Sequence, residues 1–309
     1  MSWHCCVSPS SSFATVWRCL NPEMGEGIRY MRPCLRKVAK WMLPSGIVEW
    51  LRAQQRPSEQ LWQGVYGHFH DVPVRGLAFE SDQWIIQRAE WTRRLKGELA
   101  QLESGSRSVE SRYLLLPACV AAMAECMGPI RVLDFGGAMG VAYAYFRALV
   151  VSSVSFEYNV VDNRRSCLEG TRIFDDDKRV HFFEDLDSVV AADVVLMSGV
   201  LQYLGDYRAV VCRIVKRFRP RLFLITLVPV GTFPTYASAQ VNLSGTRMAA
   251  WFFNSLEIES LFNGLGYCLT FRGTADQAFD MSNFPRSHRL PHMSNLVFVR
   301  SEGTPLASQ

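Results

Sequence analysis

The stretch Val132-Leu-Asp-Phe-Gly-Gly-Ala-Met-Gly140 decides the fold of this chain. Its apolar start predicts a β-strand, and the Ala- and Tyr-rich residues 139–150 behind it predict a helix. A glycine turn between strand and helix is typical of parallel α/β sheets, where it lies at the ligand-binding edge. Gly136 and Gly137 allow a ligand close to the backbone, and Gly140 allows the helix to pack tightly on the strand.

Outward from this turn, apolar runs alternate with amphipathic segments. Helices are predicted over 109–127, 139–150, 164–174, 206–218 and 255–265, and strands over 130–135, 156–161, 180–183, 193–197, 222–227, 267–271 and 295–300. The last two strands have no helix between them and are therefore expected to be antiparallel. The predicted fold class is α/β: a Rossmann-like, seven-stranded sheet with an antiparallel last strand, preceded by a helical N-terminal extension.

Three acidic residues follow three successive strands. Asp134 precedes the glycines, Asp162 ends the next strand, and Asp185-Leu186 follows the third. Asp134 suits an ammonium group and would be unfavourable beside a pyrophosphate, Asp162 can accept from both ribose hydroxyls, and Asp185 can accept from an adenine amino group above Leu186. Glu184 is a rival for the last role. Together they predict an S-adenosylmethionine site that also includes Phe135, Gly136, Gly137, Gly140 and Ser198.

Each acid alone is more often a helix cap or a solvated loop residue. Two alternatives stay open: another Rossmann enzyme that uses NAD, and a catalytically inactive methyltransferase fold kept as a binding subunit. Ala138 stands where a third glycine is usual in such turns, which is tolerable if its φ is negative.

Further motifs resemble a poorly characterised family of bacterial class I methyltransferases with an LDFGGxxG turn. Its fourth-strand signature resembles residues 193–204, which end in Leu-Gln-Tyr-Leu, and its later Gln and SYPxWxF elements resemble Gln240 and Trp251-Phe-Phe-Asn254. Earlier matches are Gly64-Val-Tyr-Gly67 and Leu114-Leu-Leu-Pro117. The resemblance covers about residues 60–300 and implies methyl transfer, with polysaccharide or other glycoconjugate modification as the setting. Residues 246–250 depart from the Ser-Tyr-Pro pattern, which concerns the acceptor pocket.

In-line methyl transfer mainly requires alignment of an acceptor atom, and at most one proton transfer. The predicted catalytic residues are His292 as a general base, because histidine titrates near neutrality, together with Tyr203 and Gln240. Segment 229–253 is long and polar enough to form a lid over the acceptor. No metal is expected, because Met197-Ser198-Gly199 offers no carboxylate at the end of the fourth strand.

The predicted domains are a disordered tail (1–26), a helical extension (27–105), a methyltransferase domain (106–302) and a short tail (303–309). The net charge of +4 is too small to predict a nucleic-acid partner. Residues 1–60 hold eight Lys/Arg against four Asp/Glu, so residues 27–56 are expected to contact a membrane peripherally. Nine unpaired-looking cysteines and no secretory signal predict a cytoplasmic protein, peripheral at the inner membrane face.

Overall fold

The computed structural model describes residues 60–100, 109–241 and 245–301. The predicted tails (1–26 and 303–309), the basic segment 27–56 and the predicted domain boundary at 105–106 lie outside these ranges. All described residues belong to one compact unit. In this part of the chain no helix is long and apolar enough to cross a membrane.

Between residues 109 and 228 the helices and strands alternate as predicted. The helices are α1 (Asp82–Ala100), α2 (Ser111–Ala124), α3 (Val141–Leu149), α4 (Arg164–Ile173), α5 (Tyr207–Phe218) and α6 (Ser255–Gly264). The strands are β1 (Trp62–Tyr66), β2 (Ile130–Phe135), β3 (Phe156–Val161), β4 (Val180–Phe183), β5 (Val194–Ser198), β6 (Leu222–Val228), β7 (Val230–Gly231), β8 (Tyr236–Gln240), β9 (Met248–Asn254), β10 (Tyr267–Ala278) and β11 (His292–Arg300).

The main sheet has seven strands in the order β10-β11-β6-β5-β2-β3-β4. Strands β2 to β6 are parallel, whereas β11 is antiparallel to both β6 and β10. The predicted seven-stranded α/β sheet with an antiparallel last strand is therefore confirmed. The chain runs outward from β2 to β4 and then returns to β5 on the other side, which places a topological switch point at the carboxyl ends of β2 and β5.

Local sequence explains where the flanking helices begin. Asn163, Asp206 and Asn254 cap α4, α5 and α6, because each side-chain oxygen accepts a backbone N–H of the first turn. The side chains of β5 and β6 are almost all buried, as expected for central strands covered by helices on both faces. The helices and strands thus enclose one large core on each face of the sheet.

A second, four-stranded sheet in the order β1-β8-β9-β7 was not predicted from the sequence. It contains most of segment 229–253, which was predicted to form a polar lid over the acceptor. The strands β8 and β9 of this segment are largely buried, so that prediction was wrong. Trp62 of β1 packs edge-on against Phe252 of β9, with ring centres 5.1 Å apart, inside a separate small core. Aromatic packing therefore makes the described strands of this sheet part of a folded core.

Helix α1 packs across α3 and α4. Its buried residues Ile85, Ala89, Leu95 and Leu99 join the core, and its polar side is tied to α4 by an ion pair between Arg93 and Glu169 at 2.6 Å. This packing brings residues 78–88 to the carboxyl edge of the main sheet, where they become one wall of the cavity described next.

Candidate active site

A cavity of about 770 Å³ opens at the carboxyl ends of β2 to β5. Its volume lies in the range of small-molecule and cofactor sites. Most residues of the predicted cofactor site line this cavity: Asp134, Phe135, Gly136, Gly137, Asp162, Asp185, Leu186 and Ser198. The rival Glu184 lines it as well. The structure thus brings together residues that are up to 64 positions apart in the sequence, as counted from Asp134 to Ser198.

Asp134 is completely buried at the end of β2. Its Oδ2 accepts a hydrogen bond from the Tyr158 hydroxyl at 3.0 Å, while its Oδ1 has no donor among the described residues. Burial raises the pKa of Asp134 to about 7, with the negative charge of Asp162 adding to the rise and the Tyr158 bond opposing it. An orphaned, buried carboxylate oxygen in a cavity wall is costly, which fits a cationic ligand group.

The glycine turn requires its two glycines for different reasons. Gly136 has φ +73°, and a Cβ there would lie 2.3 Å from Val200 Cγ2. A Cβ on Gly137 would lie 2.4 Å from Asp134 Oδ2, so the carboxyl group occupies the space under this residue. Both glycines therefore allow the turn to lie directly on Asp134 and β5.

Gly140 does not line the cavity. It begins α3 at φ +81°, and a Cβ there would lie 3.0 Å from the Phe174 ring and 3.2 Å from the Phe182 ring. Its predicted role in tight helix packing agrees with these contacts. Its predicted contact with a cofactor has no support in the cavity wall.

Ala138 has φ +51°, so the expectation of a negative φ was wrong. Its N–H donates to Asp162 Oδ2 at 2.8 Å, and this bond holds the turn in the left-handed conformation. Such a conformation costs a non-glycine residue about 1–2 kcal/mol. Ala138 therefore adopts the left-handed conformation of the turn in place of a glycine, at the cost of this strain.

Replacing Ala138 by glycine is expected to stabilise the protein by about 0.5–1 kcal/mol, because relief of the strain exceeds the added entropy of the unfolded chain. Urea unfolding monitored by circular dichroism would measure the change. Ala118→Gly, on the exposed side of α2, is the matched control and should destabilise by about 0.5–1 kcal/mol. Equal destabilisation by both substitutions would contradict the assigned strain.

Asp162 is half-buried at the end of β3 and is more occupied than expected. Oδ1 accepts from the backbone and side-chain nitrogens of Asn163, both at 2.7 Å, and Oδ2 accepts from Ala138. A carboxylate offers about four lone-pair positions. Three are used, which leaves room for one ribose hydroxyl in place of the two expected.

Asp185 acts as a cap for a short 3-10 helix (Leu186–Ser188). Its Oδ1 accepts the Ser188 N–H at 2.9 Å, and the Ser188 hydroxyl bonds to Oδ2 at 3.0 Å. These bonds lower the pKa of Asp185, so it is charged at neutral pH. Leu186 beside it is buried. The rival Glu184 has its Oε1 3.7 Å from Arg164 Nε. Both acids line the cavity, so the structure leaves the choice between them open.

Two of the three predicted catalytic residues meet in the cavity wall. Tyr203, in a 3-10 turn after β5, donates to Gln240 Oε1 at 2.5 Å, and Gln240 ends β8 of the second sheet. Burial raises the pKa of Tyr203 to about 12, so its hydroxyl stays protonated at neutral pH. This pair joins the two sheets where they meet the cavity. Ser198 beside it accepts from the Thr226 hydroxyl at 2.9 Å.

His292 does not line the cavity. It starts β11 with an exposed side chain, because side chains alternate along a strand and its neighbour Met293 takes the inward position in the small aromatic core. The prediction of His292 as a base in the acceptor pocket is therefore not supported by the geometry.

Sequence reasoning missed the wall that comes from the N-terminal part of the described chain. Phe79, Trp84, Arg88, Arg112 and Tyr113 line the cavity. The sequence predicted a helical extension over 27–105 and a helix over 109–127, but periodicity does not tell which neighbour a helix face meets. Among the described residues no group of three or more His, Cys, Asp or Glu side chains is placed to hold a metal ion.

No family profile and no curated protein match the sequence. Similar solved structures include a Burkholderia thailandensis 1,6-didemethyltoxoflavin-N1-methyltransferase with bound S-adenosylhomocysteine: 18% identity, 71% of this chain and 88% of that chain covered, TM-score 0.44. The Synechocystis magnesium protoporphyrin IX methyltransferase with bound S-adenosylhomocysteine is 14% identical over 71% of this chain and 100% of that chain, TM-score 0.42. A Methanosarcina mazei SAM-dependent methyltransferase is 11% identical over 57% and 94%, TM-score 0.39.

The strand order and strand directions of this chain define its fold. The residues that line the cavity define its candidate site.

Proposed function

We propose that this protein is an S-adenosylmethionine-dependent methyltransferase. The observation that carries the proposal is the convergence of Asp134, the glycine turn, Asp162 and Asp185-Leu186 on one cavity at the switch point of the sheet. The carboxyl group of Asp134 lies directly under Gly137 of the glycine turn. A buried carboxyl group there opposes a pyrophosphate and favours an ammonium group.

The residues present fit the cofactor in three places. The orphaned Oδ1 of Asp134 can take the ammonium group, the free lone pair of Asp162 can take a ribose hydroxyl, and Asp185 or Glu184 can accept from the adenine amino group above Leu186. When bound, the cofactor supplies an electrophilic methyl group on its sulfonium. The protein's own work is to orient that end and to exclude water from it.

Tyr203 and Gln240 are proposed to position the acceptor. The Tyr203 hydroxyl already donates to Gln240, so it can accept a hydrogen bond from an acceptor hydroxyl. Its raised pKa makes it a positioning group and not a proton acceptor at neutral pH. This arrangement favours transfer to an oxygen that Tyr203 holds in line.

Tyr203→Phe is expected to lower kcat/KM for methyl transfer about 3- to 10-fold, the value of one neutral hydrogen bond. The affinity for S-adenosylhomocysteine should stay unchanged, because the hydroxyl faces Gln240 and not the glycine turn. Kinetics with the acceptor and calorimetry with S-adenosylhomocysteine give the two readings. A variant that keeps full kcat/KM would remove Tyr203 from the mechanism.

The proposed acceptor is a small molecule or a glycoconjugate, with surface polysaccharide modification as the setting that the resemblance to the LDFGGxxG family implies. We place the protein in the cytoplasm, with peripheral contact to the inner membrane face through residues 27–56. The excess of basic residues in this part of the sequence supports that contact. Flotation with anionic liposomes should carry the full chain but not a chain that lacks residues 1–56; equal behaviour of both would refute the contact.

Calorimetry with S-adenosylhomocysteine and with NAD tests the proposed function. Binding of S-adenosylhomocysteine alone is expected; binding of NAD alone would show a dinucleotide enzyme. Turnover separates an enzyme from an inactive binding subunit, because only the enzyme consumes S-adenosylmethionine in the presence of its acceptor.

A further inference from the structure

Arg88 of α1 is a half-buried cation in the cavity wall. Its guanidinium carbon lies 5.5 Å from the centre of the Trp84 ring and 5.1 Å from that of Trp91, so two indoles hold it along the helix. No Asp or Glu of the described residues forms an ion pair with it. Buried charges are normally paired, so this arginine lacks the anion that its position calls for.

Arg112, in the first turn of α2, is the second cation of the same wall. Its Nη2 lies 3.0 Å from Glu110 Oε2, and its guanidinium carbon lies 4.5 Å from the centre of the Tyr113 ring. Its Nε is buried and has no acceptor within the described ranges. Burial lowers the pKa of Arg88; Tyr113 opposes this shift and the positive charge of Arg112 adds to it. Of these two guanidinium groups, only that of Arg112 has a carboxylate partner among the described residues.

The two arginines come from helices that both pack against α3, the helix that follows the glycine turn and Asp134 in the chain. Tyr113, next to Arg112, stacks on Tyr145 of α3 with ring centres 3.9 Å apart. Val141 and Ala142 of α3 line the same cavity as Arg88, Arg112 and Asp134. The arginines thus border the part of the cavity that lies against α3.

This part of the cavity consequently offers one anionic and two cationic groups. An α-amino acid carries an ammonium and a carboxylate on the same carbon, so it needs such a pair of neighbours. Guanidinium binds carboxylate with two parallel hydrogen bonds, which Arg112 Nε and the unpaired Arg88 can supply.

We propose that Arg88 and Arg112 form the subsite for the α-carboxylate of the cofactor's amino-acid end. This inference rests on the proposed function. It assigns partners to the carboxylate, the group of the ligand that Asp134, Asp162 and Asp185 do not bind. It also gives helix α1 a direct part in cofactor binding.

The test compares two ligands in calorimetry with the full chain. S-adenosylhomocysteine has the amino-acid end, whereas 5′-methylthioadenosine lacks it and keeps the adenosine. Arg88→Gln and Arg112→Gln are each expected to weaken S-adenosylhomocysteine binding about 10- to 100-fold and to leave 5′-methylthioadenosine binding unchanged. Arg94→Gln, on the exposed side of α1, is the matched control and should change neither.

Two outcomes would overturn the subsite: unchanged S-adenosylhomocysteine affinity in both variants, or equal weakening of both ligands. Arg88→Gln is the decisive variant, because Arg112 also pairs with Glu110 and its loss can loosen α2. A thermal melt of each variant checks that it is folded. If the unmodified protein binds neither ligand, the proposed function itself fails, which is a different result from failure of the two arginines.

Discussion

Replacing Gly137 by alanine is expected to destabilise the protein by about 2–3 kcal/mol and to abolish measurable binding of S-adenosylhomocysteine. The added methyl group would lie 2.4 Å from Asp134 Oδ2 and 2.5 Å from its Cγ. Asp134 cannot move aside easily, because it is fully buried and bonded to Tyr158. The turn itself must shift, and it then loses the surface that faces the cavity.

Urea unfolding and calorimetry would measure both effects. Gly97→Ala is the control, since Gly97 lies within α1 and a Cβ there meets nothing within 4 Å; it should stabilise by about 0.5–1 kcal/mol. In the double variant with Asp134→Ala the clashing atoms are gone, so the cost of Gly137→Ala should fall by at least about 1 kcal/mol. Strict additivity of the two substitutions would show that the contact is not the cause.

Asp134→Asn is expected to separate stability from binding. The folded pKa of about 7 lies above the ordinary value of 3.8, so the folded state holds this proton more tightly than the unfolded state. The stabilisation is complete below pH 3.8 and is lost as pH rises to about 7. At one pKa unit per 1.36 kcal/mol the loss is at most about 4 kcal/mol. Asparagine can still accept from Tyr158 and carries no charge, so at pH 8 the variant should be the more stable protein.

Binding should change in the opposite direction. The asparagine cannot neutralise an ammonium group, so affinity for S-adenosylhomocysteine should fall about 10- to 100-fold. In the unmodified protein that affinity should rise between pH 6 and pH 8 as Asp134 ionises, while the variant should show no such rise. Thermal melts and calorimetry at the two pH values supply the data. A variant that is less stable than the unmodified protein at pH 8 would contradict the assigned pKa.

Asp177→Asn offers a contrast of opposite sign. Although burial opposes its ionisation, hydrogen bonds from Arg179 and Tyr143 lower the pKa of Asp177 below its ordinary value. Its contribution to stability is present above pH 3.8 and is lost as pH falls. The substitution should therefore destabilise at neutral pH and lose this effect in acid.

The sequence predicted what depends on local pattern. The apolar runs on either side of the glycine turn, and the absence of a helix before β11, were enough to predict the main sheet and the antiparallel last strand. The acids at the strand ends were found because parallel strands bring their carboxyl ends to one edge. These two rules predict that Asp134, Asp162 and Asp185 lie at one edge of the sheet, and all three line the same cavity.

The rest depends on contacts between distant parts of the chain. Strand β1 pairs with β8, with Trp62 opposite Gln240. The residues around Trp62 do not indicate a pairing partner so far along the sequence. The left-handed conformation of Ala138 depends on a hydrogen bond to Asp162, 24 positions away. Arg88 and Arg112 were missed because two helices must first pack before their inward faces are known. His292 was expected to face the acceptor pocket, but it begins β11 at an exposed position of the strand's alternation.

A crystal structure of the protein with S-adenosylhomocysteine tests the central claim most directly. We expect the ligand in the cavity at the carboxyl ends of β2 to β4, with its ammonium group on Asp134, a ribose hydroxyl on Asp162 and the adenine against Leu186. A saturated crystal with this cavity empty of S-adenosylhomocysteine, or with the ligand bound elsewhere on the molecule, would contradict it.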